Sequence, residues 1–309
     1  MKNGVRQDIY NMPTIPQRAG GLIPSPKDPR DLLLSAVSPS IIRIPKECPN
    51  PFDLDILFQN GYPHCVGYSC AAIKQEKELR EKVSQIFDGD WIYKKCKEID
   101  GFPNMQGTWF RIGLKVLQKY GAKPLNGLED EASRYKIGTY ALVDDMSFEG
   151  LKKAIFVNGA LLGAFTGSNQ GWQTAYIRPP KTGEVTWGHA ITLVGYNENY
   201  LIGQNSWGNT WGDKGLFYIP KDYLPFEAWA VLTDISSDIK EGWIAMEFIR
   251  STGLTEGARV TPITVLNFRD KPGLVGKVIS RLKPSDQLEI MKIGDKIDGY
   301  NWCQIKIID

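Results

Sequence analysis

The stretch Gln59-Asn60-Gly61-Tyr62-Pro63-His64-Cys65, running on into CVGYSCAAIKQEKELREKVSQ from Cys65 to Gln85, decides how this chain folds. Its first part is turn chemistry, with Asn-Gly and Pro close together. Its second part is rich in good helix formers and passes from small apolar residues to charged ones. It predicts a helix that begins at Cys65, is buried at its start and is solvated at its end. A thiol at that point is chemically special. Free cysteine titrates near ~8.5, and a helix N-terminus together with an imidazolium partner lowers that value by several units.

Working outward, Thr108 to Tyr120 and Ser147 to Asn158 also read as helices, closed by Gly121 and Gly159. After Gly159 the character changes to short apolar runs between turn residues: ALLGAF, HAITLVGY, YLIGQN, GLFYI and WAVLTDI. These read as strands. Helices first and strands afterwards predict an α+β protein with segregated halves. Residues 1–50 carry Pro13, Pro16, Pro24, Pro26, Pro29, Pro39, Pro45 and Pro49, which forbid long helices and predict an extended arm. The strands stop near Ser236-Ser237-Asp238. From about Glu256 a new all-β pattern starts, predicting a 51–235 domain, a 236–255 linker and a small 256–309 barrel.

Composition narrows the function classes. The 42% hydrophobic and 23% charged residues are ordinary for a globular protein, and 37 Lys+Arg against 35 Asp+Glu leave a formal charge of only +2. A nucleic-acid partner is not expected. No segment approaches the ~18 consecutive apolar residues of a membrane helix. The start, Met1 to Asp8, lacks the apolar run of a secretory signal, so the expected place of synthesis is the cytoplasm, with release by lysis or carriage on a phage particle as routes outward. Five scattered cysteines do not suggest a disulfide scaffold, and two histidines leave little for a zinc site. Neither metal nor cofactor is expected.

Three segments carry the chemistry: Gln59 to Cys65, Trp187-Gly188-His189-Ala190, and Gln204-Asn205-Ser206-Trp207-Gly208-Asn209-Thr210-Trp211-Gly212. Cys65 lies six positions after Gln59, and Asn205 sixteen positions after His189. In this order and at these spacings the chain resembles the papain family of cysteine peptidases over roughly residues 30 to 235, including Gly195-Tyr196 and the tail Gly215-Leu216-Phe217-Tyr218-Ile219. The resemblance implies a helical lobe and a β-barrel lobe around a cleft. It implies Cys65 as nucleophile, His189 as base, Asn205 as the group that orients the imidazole, and the Gln59 amide with the Cys65 N–H as oxyanion donors. By the same resemblance Gly188 and Gly107 would bind the substrate main chain, Trp207 would cover the His–Asn hydrogen bond, and the 1–50 arm, ahead of Gln59 where papain relatives carry inhibitory pro-segments, would pack along the peptidase and cover part of its cleft. His64, Val66 and Tyr62 depart from the family's usual residues, and Met105-Gln106-Gly107-Thr108 lacks its double glycine. Cys70 and Cys96 read as packing residues, and His64 as a surface or packed histidine.

Residues 256–309 resemble a bacterial SH3-like domain through Leu266-Asn267-Phe268-Arg269, Gly276-Lys277-Val278-Ile279 and Gly299-Tyr300-Asn301-Trp302-Cys303-Gln304-Ile305. This implies a bacterial or phage source and leaves open a module that binds a cell-wall peptide or another protein and a purely structural appendage. The expected activity is peptide-bond hydrolysis through a thioester, with a protein or peptide substrate. Two other classes stay open: a binding or virion-structural protein with an unused peptidase fold, and a wall amidase or transpeptidase using the same acyl chemistry.

Overall fold

The computed structural model describes residues 20–38, 43–232, 241–250, 253–274, 276, 278–284 and 286–308. The first nineteen residues of the arm and the Ser236–Asp238 break lie outside them. No helix among the described residues is long and apolar enough to cross a membrane.

Three helices form one side of the first unit: α1 (Cys65–Arg80), α2 (Gly89–Ile99) and α3 (Phe110–Lys119). The second was not legible as a helix, yet it is capped by Asp88, whose carboxylate accepts from the Trp91 N–H at 2.9 Å. Their apolar faces meet in one cluster with Leu162, Ala164, Ala190, Val194 and Trp229 from a sheet. That sheet comprises β1 (Thr139–Leu142), β2 (Leu161–Ser168), β3 (Thr186–Tyr196), β4 (Tyr200–Gln204), β5 (Leu216–Pro220) and β6 (Glu227–Leu232). Among the described residues it is six-stranded and antiparallel, in the order β1-β6-β2-β3-β4-β5. Its other face packs against α4 (Phe148–Asn158) and an aromatic group around Trp172 and Phe217. Ser147 caps α4 by accepting from the Gly150 N–H, and Gly159 closes it with φ 81°.

One expectation is overturned. The second half of α1 is not solvated: Lys74, Gln75, Glu76, Lys77 and Glu78 are all buried. Each charge has a partner there. Lys74 bonds Glu78, Arg80 bonds Glu76, and Lys77 donates to the Asn158 carbonyl at 2.5 Å. The helix runs through the middle of the unit, and charges are tolerated inside because they are paired.

A second sheet follows, built from β7 (Glu241–Ala245), β8 (Ile249–Arg250), β9 (Arg259–Pro262), β10 (Leu266–Arg269), β11 (Val278–Leu282), β12 (Gln287–Ile297) and β13 (Tyr300–Ile308). Its order among the described residues is β11-β10-β7-β13-β12-β9-β8. The boundary differs from the sequence reading. β7 pairs with β13 from Trp302↔Ala245 to Lys306↔Glu241, so much of the interval read as linker belongs to this sheet. The alternating pattern of five residues was too short to be recognised as a strand.

The arm is two different things. Leu22 pairs with Thr108, far from the segment's own neighbours, whereas Leu32 to Ser35 are built into the first unit. Leu142 N–H donates to Leu32 C=O at 2.8 Å, Leu34 lies in the apolar core, and Ser35 bonds Asp144. Further on, Cys48 and Tyr196 exchange backbone hydrogen bonds of 2.9 and 3.0 Å.

Candidate active site

Cys65 is the first residue of α1, with His64 at the N-cap. The loop before it turns through Asn60 (φ 49°) and Gly61 (φ 76°), left-handed positions that Asn and Gly accept most readily. This turn returns Gln59 to the interior, where it is 2% exposed. Its Nε2 donates to the Tyr62 carbonyl at 2.6 Å, its Oε1 accepts from Ser206 Oγ at 2.6 Å, and its N–H donates to the Ser206 carbonyl at 2.9 Å. The loop before the thiol is therefore tied to the loop that carries Asn205.

His189 lies on β3, 1% exposed, opposite Phe165 of β2. Its Nε2 is 2.9 Å from Asn205 Oδ1, which also accepts from the Ser206 N–H at 2.9 Å. An amide oxygen can only accept, so Nε2 carries the proton and Nδ1 is the basic nitrogen of the neutral ring. Trp207 stacks on the imidazole at 4.7 Å, and Trp172 and Trp187 meet it edge-on at 5.6 and 5.8 Å. These rings exclude water from the histidine–amide bond. Ala190, next to His189, lies in the same buried cluster as Cys65, so helix start and strand converge there.

The cleft between them holds part of the chain's own arm. Leu22 N–H donates to Gly188 C=O at 3.2 Å, Ile23 N–H to Thr108 C=O at 2.9 Å, and Thr108 N–H to Gly21 C=O at 3.0 Å. A side chain on Gly21 would collide with the Pro63 backbone, and one on Gly20 with Trp187 and the Gly188 backbone. Only a glycine pair passes at this point. Beneath it Cys65 is fully buried, and burial pushes its thiol up to about 11, opposed by hydrogen bonds from the backbone of Ala190, Gly21 and Val66. Cys70 and Cys96 are also buried and raised by burial.

Gly107 is placed otherwise than expected. Its N–H goes to Tyr93 Oη at 2.9 Å and its C=O accepts from Lys97 Nζ at 3.0 Å, so neither is open to a main chain in the cleft. The pairing falls on Thr108 instead. Gly188 does present its carbonyl to the cleft. His64 bonds Asp90 through Nδ1 at 2.8 Å and stacks on Tyr93 at 3.9 Å, a packed role. Sequence reasoning missed Thr108, Trp172 and Ser206: Thr108 and Ser206 stand in quoted segments but carry no assigned role there, and no short motif marks Trp172. Trp187 stood in the quoted histidine segment but was given no role.

The profile of the family described as papain family cysteine protease matches residues 117–227, a span holding His189 and Asn205 but not Cys65. An uncharacterized peptidase C1-like protein of Acanthamoeba polyphaga mimivirus is 28% identical over 211 residues, covering 58% of this chain; the chain spans 64% of that relative's length. Mexicain of Jacaratia mexicana is 52% identical over a short stretch of 33 residues, 11% of this chain and 15% of mexicain. Among solved structures, xylellain, a cysteine protease from Xylella fastidiosa, superposes with a TM-score of 0.63 at 24% identity, covering 72% of this chain and all of that one (100%). Procathepsin B S9 of Trypanosoma congolense gives 0.58 at 14% identity, covering 70% of this chain and 87% of its own. The first unit therefore has a papain-like fold.

Proposed function

We propose that the papain-like cysteine peptidase domain of this chain hydrolyses peptide bonds through a thioester on Cys65. The observation that carries this reading is the buried His189–Asn205 hydrogen bond, next to Ala190, which shares a buried cluster with Cys65. His189 Nδ1 takes the thiol proton and later gives it to the leaving amine. The thiolate adds to the carbonyl carbon, and the oxyanion that forms is met by the Cys65 N–H and the second Nε2 proton of Gln59. The amine leaves, and water, deprotonated by His189, releases the acid and restores the thiol.

The arm makes the resting chain latent in this reading, because Gly20–Ile23 stand where a substrate would lie. Its displacement opens the cleft. The test uses the full chain with Gly21→Val, whose side chain has no room beside Pro63. Peptide and peptidoglycan substrates are incubated with this variant and the products are identified by mass spectrometry. Cleaved peptide bonds are expected. Adding Cys65→Ala should abolish cleavage, and adding Asn205→Ala should slow it by roughly 10-fold to 100-fold, since the amide orients rather than reacts. Cleavage that survives Cys65→Ala refutes the mechanism, and release of wall fragments without peptide cleavage replaces it with an amidase.

A further inference from the structure

The strip that meets the cleft occupant has little structure of its own. Residues 101–106 are all exposed, and Thr108 belongs to no strand, pairing with Leu22 of the arm in an isolated bridge. What holds it is α2. Gly107, at φ 81°, donates its N–H to Tyr93 Oη at 2.9 Å and accepts on its C=O from Lys97 Nζ at 3.0 Å. Lys97 is fixed in turn by Asp100 at 2.6 Å. The Gly107 C=O and the Thr108 N–H share one planar peptide unit and point in opposite directions. With Lys97 on the one and the Gly21 carbonyl on the other, the anchoring of Gly107 aims Thr108 into the cleft.

The same face of α2 reaches the loop of the thiol. Asp90, Tyr93 and Lys97 stand at i, i+3 and i+7, one stripe of the helix. Asp90 Oδ1 lies 2.8 Å from His64 Nδ1, and the Tyr93 ring stacks on that imidazole at 3.9 Å. His64 is the N-cap of α1, the residue before Cys65. Tyr93, only 8% exposed, thus touches the thiol's loop with its ring and the cleft strip with its hydroxyl.

We infer that Tyr93 is a positioning residue: through the Gly107 N–H it holds Thr108 where either the arm or a substrate main chain pairs with it, so that latency and substrate affinity rise and fall together. The substrate half rests on the peptidase reading; the arm half is measured without turnover. In the full chain, Tyr93→Phe removes the hydroxyl and keeps the ring on His64. Loss of the Gly107 bond should loosen the native arm and speed Cys65 alkylation by iodoacetamide about fivefold. In the Gly21→Val protein the same change should raise KM for a peptide about fivefold and leave kcat within about twofold, with the pH curve of Cys65 labelling unmoved. Lys97→Gln, which withdraws the ammonium from the Gly107 carbonyl, should act in the same direction. Ser147→Ala removes the cap of α4 and controls for stability alone, lowering the melting temperature without altering either readout. If Tyr93→Phe behaves like that control, Tyr93 is a packing residue and the inference is overturned. Faster alkylation with an unchanged KM also overturns it, because arm and substrate then do not share the strip. If the Gly21→Val protein cleaves no peptide although Cys65 alkylates, the peptidase reading fails, and the alkylation rates still decide whether Tyr93 seats the arm.

Discussion

At Cys65 two opposing influences meet. The helix start and the surrounding N–H groups favour the thiolate, while burial under Gly21 disfavours it more strongly and leaves the thiol titrating at about 11. At pH 8 only about one such thiol in a thousand is ionised. Wild-type protein should therefore alkylate slowly at neutral pH, with a rate that keeps rising up to pH 10. In Gly21→Val the sulfur regains solvent and its imidazole partner, so the rate at pH 7 should rise by about 100-fold and level off well below pH 9. Stopped-time labelling with mass mapping checks both curves. Equal labelling of Cys70 or Cys96, which are also fully buried, would remove the reason for assigning Cys65.

At the scale of elements, α1 depends on its internal ion pairs. Burial works to raise the Glu76 carboxyl, but Lys77 and Arg80 outweigh it and hold the group below its ordinary 4.5. A depressed carboxylate contributes stability that is complete above about pH 4.5 and is lost as pH falls through the folded value. Glu76→Ala strands two cations around a buried position and should destabilise the first unit by about 3 kcal/mol, with less pH dependence in the acid range than wild type. Urea titrations at pH 7 and pH 4 read this directly, and a loss below ~1 kcal/mol would show that the pairs contribute little. The arm should divide in the same way. Deleting residues 1–24 removes the cleft occupant and should raise Cys65 reactivity. Deleting through Ser38 also removes Leu34 and the Ser35–Asp144 bond, and should lower the melting temperature by several degrees.

Across the whole molecule, every group proposed for thiol acylation precedes the second sheet, which places Cys303 in its core with a thiol raised to about 12 by burial. We propose that the unit built on this second sheet directs the peptidase domain to its target. A chain ending at Asp238, with Gly21→Val, keeps all six strands of the first sheet. It should turn over a small soluble peptide at the full-length rate but lose activity on an immobilised or polymeric substrate. Lost small-peptide turnover in a folded truncation would instead assign the unit a part in shaping the cleft. One contact makes that alternative concrete: the Arg43 N–H donates to Tyr300 Oη at 2.8 Å, linking the arm's inner segment to the second sheet. The sequence by itself singled out the side chains proposed for chemistry, because Gln59, Cys65, His189 and Asn205 each stand in a short segment whose spacing is a local property. It also determined α3, α4 and the strands after Gly159, where apolar periodicity and glycine stops agree. Only the tertiary structure decided that Lys74–Glu78 are buried, that Thr108 rather than Gly107 faces the cleft, and which residues of the arm, Gly20–Ser25, fill it. Those outcomes depend on partners tens to hundreds of residues away, such as Ser25 with Glu227 or Lys77 with Asn158, and no local pattern encodes a pairing between distant segments.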